Sequence, residues 1–307
     1  MNSAQACAAV REGALRAAPD AAITAAPVAA GHLMLDDAAV IESATTVGPG
    51  RLGPPSPTLA RRAHSYGLGC RWRRSLRARG PLQLLVGLGG IGCTDGGTGA
   101  LLALGARVWD RSGAELFAEG AVPEVNPLLA RPGRVALPKA LPCAVIGLAD
   151  VSSPLLGPSG AACMFGPHKG VGPALIEELE YAMESWAAAL REAGADVARI
   201  AGAGAAGAAG GLGAALLALG GRIESGLQRI AADTGVGEAL ASADLVITGE
   251  GSLDAQTGLG KVPDSIARLA KSSGRRGCWC GVVAVWSRLV TFAPLRCLNT
   301  SLCCGRR

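Results

Sequence analysis

Short apolar runs at residues 82–86, 106–109, 144–148 and 243–248 punctuate the chain. Runs of this length without polar alternation fit strands buried on both faces of a parallel sheet. Residues 39–41 and 21–30 give two weaker strands. Helical spacing appears at residues 99–104 and at 174–193, where Glu177 and Glu178 put acid in the expected first turn, and again in PDSIARLAK, opened by Pro263. Residues 3–22 also carry helical spacing, up to Pro19-Asp20. Strands alternating with helices predict an α/β fold.

The segment GAGAAGAAGGLGAALLALG, residues 202–220, is dense in glycine and then helical. It reads as a turn where backbone must approach a ligand or another helix closely. Residues 200–221 carry no charge, but they are mostly Gly and Ala, so a buried segment is expected rather than a membrane span.

Half of the 307 residues are apolar and only 3% are aromatic, so the core must be built from Ala, Val, Leu and Ile. The net charge of +5 conceals an uneven distribution. Residues 61–79 hold seven Arg and residues 275–307 hold six, with no acid in either stretch, so the remainder stands at 5 − 13 = −8. No nucleic-acid-binding module surrounds these patches. The ten cysteines form no framework, and Cys278-Trp-Cys280 lacks a second pair or a His at zinc spacing. Scattered thiols, together with Arg11 and Glu12 where a leader would be apolar, predict a cytoplasmic protein. The segments 70–79 and 274–307 are rich in Arg, Cys and Trp without a clear period, and they are expected to be foreign to the fold.

Four loops carry candidate chemistry. The first, GLGGIGCTDGG, spells G-x-G-x-x-G at Gly87, Gly89 and Gly92, with Asp110 near the place of a ribose-binding acid. Its downstream context is wrong for a dinucleotide. Asp95-Gly96-Gly97 is a turn that postpones the helix to about Thr98, whereas a dinucleotide site starts its helix inside the fingerprint. The turn sets a carboxylate among bare amides at the mouth of a strand. It suits a polar substrate or a metal-bound phosphate, or simply a capping Asp. The second loop, residues 149–170, leaves a strand that ends at Asp150 and is stiffened by prolines and glycines. It carries Lys169, one of four lysines against 25 arginines. The glycine-dense segment is the third. The fourth, TGEGSLDAQTGLGKVP, brings amides, Asp254 and Lys261 to a helix N-terminus, which is how anions are held. It is not a Walker A loop, because Ala255 stands where the first glycine belongs and Val262 where Ser or Thr belongs.

In this order the four loops resemble the bacterial glycerate kinase family. The matching residues are Gly89–Gly97, Ala149–Pro158 with Phe165–Gly170, Gly207–Leu216, and Asp244–Pro263. Residues 82–271 are well covered and residues 3–29 and 36–46 loosely. The resemblance implies phosphoryl transfer from ATP to D-glycerate with Mg2+, giving 2-phosphoglycerate. It also implies a Rossmann-like α/β domain from residues 1–40 and 222–307, with residues 41–221 inserted as a second α/β domain and the active site in the cleft. By the same implication Gly90, Thr94, Gly96, Gly97 and Lys169 bind the substrate, and Asp95 and Asp150 bind the metal. Gly249, Glu250, Gly251, Gln256, Thr257 and Gly260 meet the phosphates, and Asp254 and Lys261 are catalytic. Asp254 is the favoured base. The chain departs from the family pattern at Thr94, Ser153 and His168, and it lacks the family's opening strand, its acidic loop and its closing strands. A catalytically impaired remnant that only binds ligand is therefore the alternative. A nicotinamide enzyme is a distant third.

Overall fold

The computed structural model describes residues 14–21, 27–51, 54–77, 82–196, 200, 204–243, 246, 266 and 268–270. The chain divides into two compact units, Met1–Glu224 and Ser225–Arg307.

The first unit is built on a six-stranded sheet. Its strands are β1 (Ala14–Ala21), β2 (Pro27–Met34), β3 (Ala38–Glu42), β4 (Gln83–Gly87), β7 (Ala144–Leu148) and β8 (Arg222–Glu224), hydrogen-bonded in that order. The pairs β3–β4, β4–β7 and β7–β8 are parallel, while β1–β2 and β2–β3 are antiparallel. A separate hairpin pairs β5 (Arg107–Trp109) with β6 (Arg134–Ala136). The α/β expectation holds, with a sheet dominated by parallel pairs.

Burial explains the unbroken apolar runs. Along β3, Ala39 and Ile41 join Leu84, Val86 and Val145 in one cluster, while Ala38 and Val40 join Leu85, Ile146 and Leu148 in another on the opposite face. Both faces are therefore dry, and alternation with polar residues would be costly. Helices cross over between the strands, and Val47, Leu68, Trp72, Ala100, Leu212 and Leu216 on them join the first of these clusters. These helices are α1 (Ala44–Val47), α2 (Pro57–Arg62) and α3 (Tyr66–Arg77) between β3 and β4, then α4 (Thr98–Ala103) after β4. Further along come α5 (Ala161–Phe165), α6 (Pro173–Glu192) and α7 (Leu212–Ala218) between β7 and β8.

Several expectations are corrected. Residues 14–21, read as the end of a helix, are β1, paired with β2 from Ala14↔Met34 to Ala21↔Pro27. Pro19 would remove a hydrogen bond inside a helix but is tolerated on an edge strand. Strands β1 and β2 extend the same sheet as β3 and β4. Helix α6 starts at Pro173 and has no acid in its first turn, so Glu177 and Glu178 fall beyond it.

The Arg-rich stretch is no insertion. It forms α3, which buries Leu68, Arg71, Trp72 and Ser75 at helical spacing and exposes Arg73 and Arg74. Leu68 and Trp72, both fully buried, pack with Ile41, Leu84 and Ala100. Periodicity was hidden because the buried stripe includes an Arg and a Ser.

In the second unit, α8 (Gly226–Thr234) is capped by Ser225, whose Oγ accepts from the Gln228 amide at 3.2 Å, and α9 (Val236–Ser242) follows Gly235. The strand expected at 243–248 and the loop at 248–263 lie outside the described residues almost entirely. Of the helix expected from Pro263, residues 266 and 268–270 are described and helical. Among the described residues, no helix is long and apolar enough to cross a membrane.

If α3 is integral to the core, Trp72→Ala lowers unfolding stability by about 3–5 kcal/mol, as removing a buried Trp does. Urea denaturation of the two proteins checks this. A loss below about 1 kcal/mol, the size expected for an ordinary surface change, would return the helix to the status of an appendage.

Candidate functional site

The carboxyl ends of parallel strands are where α/β sheets place ligands, and three of the four candidate loops meet there. The loop after β4 runs from Leu88 to Gly97. Its start is pinned by Leu88 N–H donating to Leu148 O at 2.9 Å and by Gly92 N–H donating to Val47 O at 2.8 Å. Helix α4 begins at Thr98, with Gly97 as its N-cap in a left-handed conformation (φ 70). The helix thus starts where the Asp-Gly-Gly turn predicted.

Asp95 organises the loop. It is fully buried. Its Oδ2 accepts from Ser65 N–H at 2.7 Å, from the Ser65 hydroxyl at 2.7 Å and from Gly99 N–H at 3.2 Å. Its Oδ1 accepts from Gly97 N–H at 3.2 Å and from the Cys93 thiol at 3.7 Å. The Ser65 hydroxyl in turn accepts from Ala100 N–H at 2.9 Å. Amides that a dinucleotide would use are therefore satisfied internally. The capping reading of Asp95 is the one this geometry fits.

The glycine-dense segment locks the other side. Gly96 N–H donates to Gly210 O at 3.0 Å, and a Cβ on Gly210, whose φ is 68°, would stand 2.2 Å from Cys93 O. Only glycine permits that approach. Gly207 N–H donates to Ser153 O at 2.9 Å, which ties the same segment to the loop after β7. The expectation of a close backbone approach at residues 202–220 is met, and the neighbour is another loop of the site.

Lys169 reaches back across this assembly. Its Nζ donates to Cys93 O at 2.6 Å and to the Thr94 hydroxyl at 3.3 Å. Burial pushes the Lys169 pKa below its ordinary value, opposed by Cys93 and Asp95 nearby. Burial first, and Asp95 second, push the Cys93 thiol well up, which makes it a poor nucleophile. His64, fully buried behind Asp95, has its pKa lowered by burial despite that carboxylate, and its Nδ1 accepts from Tyr66 N–H at 3.3 Å.

The structure thus brings together Thr94, Asp95, Gly96, Gly97 and Lys169. Gly90 lies exposed at the other end of the same loop, and Asp150 stands half-buried just beyond β7. Gly249, Glu250, Gly251, Asp254, Gln256, Thr257, Gly260 and Lys261 lie outside the described residues. Three supports were not singled out from sequence. Ser65 was masked by its Arg-rich surroundings. Asn126 donates from Nδ2 to Thr94 O at 3.0 Å, and Trp186 donates from Nε1 to Gly96 O at 3.0 Å. Asn126 had a readable signal in Asn-Pro, since its Oδ1 caps the following turn by accepting from Leu128 N–H at 3.0 Å.

As a buried cap, Asp95 matters to stability before it matters to any ligand. Asp95→Ala should cost about 3 kcal/mol or more, because several buried donors lose their acceptor at once. Chemical denaturation measures it. A cost under about 1 kcal/mol would mean that the carboxylate does not hold the loop.

Comparison with known proteins agrees with the loop order. A profile of the glycerate kinase family matches residues 26–286. Glycerate 2-kinase of Escherichia coli is 37% identical over 195 residues, 62% of this chain and 50% of that protein. Glycerate kinase of Bacillus subtilis is 36% identical over 201 residues, 63% of this chain and 50% of that protein. An uncharacterised protein of Mycobacterium bovis is 40% identical over 235 residues, covering 76% and 54%. The chain spans about half the length of these relatives. A crystal structure from Salmonella typhimurium LT2, provisionally named glycerate kinase 2, superposes with a TM-score of 0.71 at 33% identity over 91% of this chain and 74% of that one. The chain belongs to the glycerate kinase family.

Proposed function

We propose that this chain transfers a phosphoryl group from ATP to D-glycerate and releases 2-phosphoglycerate. The observation that carries the reading is the Lys169 ammonium fixed at the carboxyl end of the parallel strands. An ammonium has three donors, and two of them are engaged by Cys93 O and the Thr94 hydroxyl. The third suits an anionic substrate group. Because burial has already removed part of the ammonium's hydration, an approaching carboxylate meets a strong field at little further desolvation cost. Phosphoryl transfer asks mainly for charge neutralisation and alignment, and a loop held by internal hydrogen bonds with a partly buried cation supplies both for the acceptor.

Magnesium, which the family implies, is a different matter. Among the described residues no group of three or more His, Cys, Asp or Glu could hold a metal ion. Asp95, expected as a ligand, does not fit, because its two oxygens accept from five protein donors and are fully buried. We assign Asp95 to positioning: it shapes the turn that carries Thr94 and the carbonyl on which Lys169 rests. Asp150 and Asp254 keep their proposed roles, on the metal and as the base.

The test is an enolase-coupled assay with purified protein, D-glycerate and ATP. Enolase reads 2-phosphoglycerate directly, whereas 3-phosphoglycerate gives a signal only after a mutase is added. Lys169→Ala should raise KM for D-glycerate by about 10- to 100-fold, the loss of one charge-assisted hydrogen bond. Asp254→Asn should lower kcat by about 10²- to 10⁴-fold. Absence of product from the native chain at any substrate concentration would favour the ligand-binding remnant instead.

A further inference from the structure

Glu42 closes β3 at the carboxyl edge of the parallel strands. It is in register with Gly87 at the end of β4, and Gly87 pairs with Leu148 of β7. The residue is 7% exposed. Its Oε1 is enclosed by protein and accepts no hydrogen bond. The neighbouring glycine makes the space, because a Cβ on Gly87 would lie 2.8 Å from Oε2 and 2.9 Å from Oε1.

The surroundings fix the backbone of Glu42 and leave Oε1 without a donor. Buried Arg71 donates from Nη1 to the Glu42 carbonyl at 3.4 Å, to the Thr45 hydroxyl at 2.5 Å and to the Thr46 hydroxyl at 2.7 Å. The Thr45 hydroxyl donates to the same carbonyl at 2.7 Å. A buried carboxylate oxygen with nothing to accept from is destabilising, and the contrast with Asp95, whose two oxygens are fully engaged, is plain. Groups of this kind persist where a ligand completes them. The loop that carries Thr94 and meets Lys169 begins at the residue after Gly87.

We propose that Glu42 binds a hydroxyl group of the substrate, with Oε1 accepting the hydrogen bond that the free protein leaves unmade and Gly87 kept side-chain-free beside it. The identity of the ligand as a hydroxy acid, D-glycerate, rests on the kinase reading. The ligand role of Glu42 does not.

The test compares the native chain with Glu42→Gln by thermal unfolding, with and without D-glycerate, and by the coupled assay. The variant should melt at the native temperature or about 2–4 °C higher, because an amide is easier to bury than a carboxylate whose oxygen meets no donor. It should lose most of the D-glycerate-induced rise in Tm and drop kcat/KM about 10-fold, because a neutral amide oxygen replaces a charged acceptor and the charge-assisted hydrogen bond is lost. A variant that melts below the native chain makes the carboxylate structural and overturns the proposal. So does a stable variant that keeps its response to D-glycerate. Should the native chain ignore D-glycerate but gain stability from another hydroxylated ligand, glycerol, and Glu42→Gln lose that gain, the glycerate reading falls and the ligand role of Glu42 stands. No response to either overturns both.

Discussion

The Asp95 carboxylate, taken wholly out of water, gathers donors from two segments distant in sequence. Ser65 at the entrance of α3 supplies an amide and a hydroxyl, and Gly97 and Gly99 at the entrance of α4 supply amides. Burying a carboxylate is costly unless its lone pairs are met. Here they are met, and the cost becomes a constraint: the two helix entrances can hold only one relative placement. Everything on the 93–97 turn follows from that placement. The Cys93 carbonyl faces Lys169, the Thr94 hydroxyl lies beside it, and Gly96 meets both Gly210 and the Trp186 indole.

The sheet sets the stage on which this turn works. Parallel strands with dry faces bring β3, β4, β7 and β8 into fixed register, so the loops that leave their carboxyl ends begin at neighbouring points. Backbone then approaches backbone without intervening side chains, most closely where Gly210 meets Cys93 and Gly207 meets Pro154. Rigid positioning by helices and strands is what a site needs when its chemistry is alignment and charge. The contrast within the site is instructive. Asp95 is a completed carboxylate and belongs to the fold, whereas Glu42, one strand away, is an incomplete one at the strand ends.

Much of this was legible from residue order. The strands at 82–86 and 144–148 needed only their continuous apolar character. The late helix start at Thr98 followed from Asp-Gly-Gly, whose two glycines lack the side chains a helix interior favours. The pairing of Lys169 with the Thr94 loop was implied by family resemblance and had no local signature. Elsewhere tertiary contacts overrode local signals. Alanine spacing at residues 3–22 suggested a helix, but residues 14–21 form an edge strand in register with β2. The Arg-rich helix was misjudged because its inward stripe contains Arg71 and Ser75, whose role depends on partners at Thr45 and Thr46 that spacing cannot reveal. Trp186 was invisible for the same reason, since it acts on a turn far along the chain, and Ser65 was hidden in addition by its Arg-rich surroundings.

Native-state hydrogen exchange tests the central constraint most directly. If Asp95 fixes the two helix entrances, the amides of Ser65, Gly97 and Gly99 exchange only through global opening, with the same free energy as the core strand amides of Leu84 to Val86. Exchange of those three amides at rates typical of an open loop, while the strand stays protected, would contradict the account.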